Sequence, residues 1–174
     1  MATIIVDRML RAAKLDVQLY EEVEADESAT GQAVGIVAMS AVAAGIGSGG
    51  GGVLGVLVVA GAALLGWVIW AYLTYWIGTR ILPGPATDAN PGQLLRTLGF
   101  ASAPGVVRVL GVIPGIYNIV FLVAAIWMLA AMIIAVRSAL DYESTWRALG
   151  VCAIGWVIQA LVLAIVFSVL GAAS

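Results

Sequence analysis

"RTLGFASAPGVVRVLGVIPG", Arg96 to Gly115, is apolar enough to sit in lipid, yet it holds Pro104, Pro114, four glycines and, between the two prolines, the cation Arg108. Whether this stretch crosses a bilayer decides how often the chain does. Apolar runs occupy residues 32–47, 53–78, 97–113, 116–136 and 148–171. Spanning takes about 20 residues, so the second, fourth and fifth runs suffice by length while the first and third are short. The charges separate the alternatives. With five crossings, Arg8, Arg11, Lys14, Arg80, Arg96, Arg137 and Arg147 all share one side and the opposite loops hold no cation. If the 97–113 run dips in and returns, Arg137 and Arg147 move across. Lysine and arginine collect in cytosolic loops, so five spans are expected, with the amino terminus in the cytosol and the carboxy terminus outside. All ten acidic residues fall on the cytosolic side. The expected fold is all-α: one membrane domain over 1–174, a bundle of five transmembrane helices with a kinked third span and an amphipathic N-terminal helix.

Composition agrees. The chain is 63% apolar and only 10% charged, with a mean hydropathy of +1.08, whereas soluble domains carry roughly 25% charged residues. A net charge of −2 gives no basis for nucleic-acid binding. Histidine is absent and Cys152 is the single cysteine. The usual parts of haem, zinc and iron–sulfur sites and of Cys–His or Ser–His catalysis are therefore missing, and no cofactor or metal is expected. Seven arginines to one lysine, with abundant Ala and Gly, point to a GC-rich prokaryotic source and its cytoplasmic membrane. The first apolar run follows the acidic "EEVEADE" rather than a basic segment, so no cleaved signal is expected.

Residues 4–20 place Asp7, Arg11, Lys14 and Gln18 on one helical face, opposite Val6, Met9, Leu10, Ala13, Val17 and Tyr20, with Leu15 and Asp16 as exceptions. Such a helix either lies in the membrane interface or packs on the protein's own cytosolic face. Trp67, Trp70, Tyr72, Tyr75 and Trp76, with Tyr142 and Trp146, read as an aromatic belt at the cytosolic interface, with a ligand cage as the alternative. "GIGSGGGGVLG", Gly45 to Gly55, lacks the Lys and Ser/Thr of a phosphate loop and reads as a tight turn. The pairs Gly31/Gly35, Gly51/Gly55 and Gly111/Gly115 have the small-xxx-small spacing of close helix packing. In "VRSALDYESTWRALG", Arg137 with Asp141 and Glu143 with Arg147 stand at i,i+4. That spacing fits a solvated helical extension worth about 0.3–0.5 kcal/mol per pair, or a partner-docking surface.

The polar residues inside the apolar runs are Ser40, Thr74, Ser102, Arg108, Asn118, Gln159 and Ser168; none is acidic. A proton-coupled carrier usually needs an intramembrane carboxylate, so that class is disfavoured. Pro104 and Pro114 cannot donate backbone bonds and disturb the carbonyls four residues earlier, at Phe100 and Leu110. Arg108 is thus expected to be the polar hub of the kinked span. Lying five residues, or about 8 Å, from the far end of the run at Ile113, its guanidinium either snorkels outward and satisfies those carbonyls and Gln159, or binds a lipid headgroup or small anion.

"GFASAP" (Gly99–Pro104), preceded by "WIGTRILP" (Trp76–Pro83) and followed by "RSALDY" (Arg137–Tyr142), resembles the YIP family, small membrane proteins named for eukaryotic members that bind Ypt/Rab GTPases. The resemblance runs from about Tyr20 to the fifth span, roughly four fifths of the chain, and is nearest to the short prokaryotic members. It implies five spans, a cytosolic amino terminus and an outside carboxy terminus. The family's "GY" with a following proline corresponds to Gly99, Phe100 and Pro104. Its "LYGP" element reads "LYEEVE" here, keeping Leu19 and Tyr20 but losing the Gly-Pro, and the long cytosolic arm is missing, so Rab-type GTPase binding is not carried over. The function expected is noncatalytic: a scaffold or adaptor packing against other integral membrane proteins or its own copies in the lipid bilayer. Gly99, Phe100, Arg137, Asp141 and Tyr142 are the candidate partner-facing residues. The alternatives are an accessory subunit of a larger membrane complex, or a lipid- or small-anion-binding or transport protein using Arg108, Gln159, Pro104 and Pro114.

Overall fold

The computed structural model describes residues 2–49 and 52–172, with side chains over 3–49 and 52–162. Gly51 of the Gly51/Gly55 pair, the side chain of Ser168, and Ser174 lie outside the described residues. Seven α-helices and no strand are found among them: α1 (Ala2–Ala13), α2 (Val17–Ala25), α3 (Thr30–Gly47), α4 (Gly52–Trp76), α5 (Pro91–Phe100), α6 (Tyr117–Ala139) and α7 (Thr145–Ala172). The protein is an all-α membrane bundle. Four helices are long and apolar enough to cross a bilayer: Glu27–Gly47, Gly52–Ile81, Tyr117–Ala139 and Thr145–Val162.

The single amphipathic helix expected over 4–20 is two helices. Leu15 takes a left-handed φ of 63°, and Asp16 accepts a hydrogen bond from the Gln18 backbone to cap α2. The Tyr20 hydroxyl then donates to Ala12 O at 3.2 Å, folding α1 back on α2. Helix α1 packs on the protein through Ala12, which is fully buried, and Met9, which lies against the core, and leaves Ile4, Val6 and Leu10 exposed on its other side.

Between α3 and α4 the glycine run turns, with Gly49 and Gly52 at φ of 65° and 63°, as expected for a tight turn. Helix α4 widens into a π turn at Ile77–Ile81, and no helix continues through Pro83. Asn90 and Gln93 form a reciprocal capping box around Pro91 to open α5.

The decisive stretch does not continue as an α-helix. Pro104 offers no N–H, and its ring would collide with the carbonyl of Phe100. Helix α5 therefore ends at Phe100, and a 3₁₀ segment takes over at Ala103–Val112, entered through bonds such as Gly105 N–H to Ser102 O at 2.9 Å. Ile113 is extended and Gly115 turns at φ 87°. The broken unit still travels the length of α3. Gly99 lies against Ala33, Gly105 against Ser40, and Gly111 against Gly47, so close that an added Cβ would overlap each neighbour. It runs parallel to α3 and antiparallel to α6, whose Met128 and Phe121 meet Gly105 and Gly111. Close approach of this unit thus comes from Gly47, Gly99, Gly105 and Gly111, whereas a Cβ at Gly31, Gly35 or Gly115 would meet open space.

The core is built from small residues, including Ala33, Ala71, Ala124, Ala131, Ala135 and Ala139, with Tyr20, Phe100, Leu19, Ile36, Ile77 and Leu94 as its largest members. The first half of α4 is left uncovered, Val53, Leu54, Leu57 and Val58 being more than 60% exposed.

Candidate functional site

Helices α3, α4, α6 and α7 and the broken 91–112 unit all line one cavity of about 420 Å³. Its polar contributors are Ser40 of α3, Trp67 and Trp70 of α4, Ser102, Arg108, and Gln159 of α7. The remaining wall is apolar, with Ala125, Met128, Leu129 and Met132 of α6 marking its extent. These four centre on the middle of α6, so the cavity sits at mid-depth.

Arg108 reaches this cavity because the 3₁₀ segment winds tighter than an α-helix and is pressed between α3 and α6 by Gly105 and Gly111. Its guanidinium is poorly met. Nη2 donates only to Met128 Sδ at 3.1 Å, and the group lies 5.8 Å from the Phe121 ring centroid. Nε is buried without a partner, and no carboxylate pairs with Arg108 among the described residues. The expected bonds to freed carbonyls and to Gln159 are not made: Ile113 N–H satisfies Leu110 O, and Gln159 lines the cavity without touching the guanidinium. A second donor, Trp70 Nε1, is also buried and unmatched. The cavity therefore presents hydrogen-bond donors in excess, and a thioether and a ring are weak substitutes for an anionic acceptor. Pro104 is buried and breaks the helix before the site, whereas Pro114 is exposed at the far turn and takes no part in it.

The candidate partner-facing residues fall elsewhere, and three of them turn inward. Gly99 is closed by Ala33, Phe100 is fully buried, and Tyr142 is 4% exposed. The Tyr142 hydroxyl donates to Gly78 O at 3.2 Å and Leu82 O at 2.6 Å, so it clasps α4 to the α6–α7 turn and is not a belt anchor. Trp146, 80% exposed, remains free to be one. Arg137 and Asp141 stay exposed, but the i,i+4 pairs do not form. Helix α6 stops at Ala139, Asp141 adopts φ 50°, Arg137 donates to Tyr142 O and Thr145, and Arg147 to Pro83 O.

A polar joint that the periodicity did not reveal lies at the other end of α5. Arg96, 6% exposed, donates to Val23 O and Glu24 O of α2, and Gln93 Nε2 donates to Glu24 Oε1 at 2.8 Å. Burial, with the Asp141 carboxylate adding to it, pushes the Glu24 carboxyl up to about 7 against the partial pull of Arg96. Tallied as a loop cation, Arg96 carried no signal of this role except its place one turn inside a capped helix.

Sequence and fold share a long-helix membrane bundle, a proline-broken segment over 97–113 and a Leu-Tyr element ahead of the first apolar run. The chain matches no curated protein and no solved structure. It does match the Yip1 domain over residues 18–167, from α2 deep into α7. Because that match takes in every traverse of the bundle and the whole cavity, the chain belongs to the Yip1 domain family of membrane proteins.

Proposed function

We propose that this is a noncatalytic, bilayer-organising protein that holds an anionic amphiphile in its central cavity, with Arg108 as the headgroup receptor. The observation that carries the reading is the half-buried Arg108 side chain at a mostly apolar cavity, its Nε buried and unmatched and no carboxylate paired with it among the described residues. An uncompensated cation at mid-depth is costly; an anionic oxygen supplied by a ligand offsets that cost, and the alkyl wall accepts an acyl chain. The amino terminus is assigned to the cytosol and the membrane to a prokaryotic cell, on the charge asymmetry and composition of the sequence. A scaffold or adaptor role, or that of an accessory subunit, would use the uncovered face of α4, a face that lipid fits equally well, so the cavity discriminates better.

The test is native mass spectrometry of the protein extracted in mild detergent, followed by thermal shifts of delipidated protein with phosphatidylglycerol, phosphatidylcholine and inorganic phosphate. Wild type should retain an anionic lipid and be stabilised by phosphatidylglycerol above the other two, and Arg108→Met should lose both effects. Stabilisation by phosphate alone would make the ligand a free anion. Equal lipid retention by wild type and Arg108→Met would overturn the proposal.

A further inference from the structure

Helices α1 and α2 form a hairpin whose depth can be measured in two ways. From Asp26, where α3 is about to begin, back to the turn at Asp16 is ten residues, or about 15 Å of helix. From Ser138 at the end of α6 back to Trp127 is eleven residues, or about 16 Å. The two descents meet. Trp127 Nε1 donates to Ala13 O at 2.7 Å, tying the hairpin turn to that level of α6, and α1 also touches the 3₁₀ segment. The apolar part of α6, Tyr117 to Val136, is about 30 Å long, the thickness of a hydrocarbon core. Trp127 therefore lies near the middle of that core.

The faces of the hairpin match this position. Ala12 and Met9 turn to the bundle. Val6 and Leu10, one helical turn apart, are 55% and 56% exposed, and Val17 extends their strip across the turn. On α6, the exposed Leu122, Val123 and Ile126 continue the apolar surface beyond Trp127. Five of the hairpin's charges pair between or at the ends of its helices, while Asp7 and Glu21 are exposed toward its junction end. Arg8 pairs with Glu22 at 2.7 Å and Asp26 at 3.0 Å, and Arg11 with Asp16 and Glu22 at 2.8 Å each. Lys14, at the tip, has a four-carbon stem that can carry its ammonium several ångströms toward the headgroups.

We infer that the α1–α2 hairpin is a wedge inserted into one leaflet only, the leaflet on the side of the α2–α3 junction, with its Val6–Leu10–Val17 strip against acyl chains. The partner is lipid, and the surface is continuous with the lipid-facing side of α6. Because the tip stops at mid-depth, the hairpin adds cross-section to one leaflet and none to the other. This does not depend on a ligand at Arg108.

The experiment places a bimane label at Leu10→Cys, Val17→Cys or Ser28→Cys in a Cys152→Ala background. The full-length protein is reconstituted in phosphatidylcholine–phosphatidylglycerol vesicles. Leu10 and Val17 labels should be quenched by phospholipid brominated at mid-chain and show a several-fold smaller iodide quenching constant than the label at Ser28, beside the α2–α3 junction. Iodide quenching at Leu10 and Val17 equal to that at Ser28, with no effect of brominated chains, would place the hairpin in water and overturn the wedge. Native-state proteolysis of each variant, compared with wild type, confirms that the labelled hairpin keeps its fold.

Discussion

At Glu24 a single carboxyl reports on how α2, α5 and the end of α6 are joined. Its folded value of about 7 lies above the ordinary 4.5, so the folded state holds a proton that the unfolded chain gives up. Stability contributed by this group is therefore present at pH 5 and declines as pH rises toward 8. The detergent-solubilised protein should unfold at a higher temperature at pH 5 than at pH 8. Glu24→Gln, which keeps an acceptor for Gln93, should flatten that dependence and raise the pH 8 midpoint; an unchanged pH profile would remove Glu24 from the joint. The contrast with Arg108 is instructive. Arg96 is as buried as a cation can be yet donates to two carbonyls of α2, so it is satisfied by the fold, whereas Arg108 has only sulfur and a ring. Residue type and apolar surroundings look alike for the two in the sequence, and the difference lies in which backbone groups tertiary packing brings within reach.

The element that sets the site is the 3₁₀ segment, and its position depends on close contacts at glycine. A side chain at Gly105 would run into Ser40 Oγ and Met128 Sδ, two atoms that belong to different helices and line the cavity. Gly105→Val should cost about 1–3 kcal/mol, in the range of core overpacking, and lower the thermal midpoint. Ser40→Gly in the same chain should restore part of the loss by making room on the α3 side. A Gly105→Val protein as stable as wild type would mean that the segment is not pressed against α3. At this scale the break was legible beforehand, since Pro104 predicted it, whereas the start of α5 at Asn90, Pro91 and Gln93 emerged with the fold. The continuation as ten residues of 3₁₀ helix was not legible, because i→i+3 bonding is chosen by the space between α3 and α6 and not by local propensity. The same holds for the hairpin. Its amphipathic periodicity falters only at Leu15 and Asp16, too little to split one helix into two, and Tyr20 reaching back to Ala12 rewards the left-handed turn at Leu15.

For the whole molecule, α3 and the 91–112 unit start from the same face of the bundle, and the charge asymmetry of the sequence predicts that this face is the cytosolic one. Cysteines introduced at Gly50 and Ser174 should react with an impermeant thiol reagent applied outside intact cells, and one at Glu143 should not. Labelling at Glu143 would reverse the assignment of the α6–α7 turn to the cytosol. That turn is tied to the rest of the same face by Tyr142 on Gly78 and Leu82 and by Arg147 on Pro83, so these residues must share one side of the membrane.

Membrane residence, the approximate limits of four long helices and the break at Pro104 follow from the order of residues alone. Each rests on a local or additive property: apolar length against bilayer thickness, loop charge, and the missing N–H of proline. What covers a given side chain is a non-local matter. Phe100 and Tyr142 carry the marks of an exposed recognition motif in the sequence, yet Phe100 is enclosed by the fold and Tyr142 spends its hydroxyl on α4. Only the tertiary structure decided that Arg108 and Trp70, 38 positions apart, would both have an unmatched donor buried at one cavity. An intramembrane donor without an acceptor arises from how the helices and the broken 91–112 unit pack together, and no single stretch of the chain encodes it.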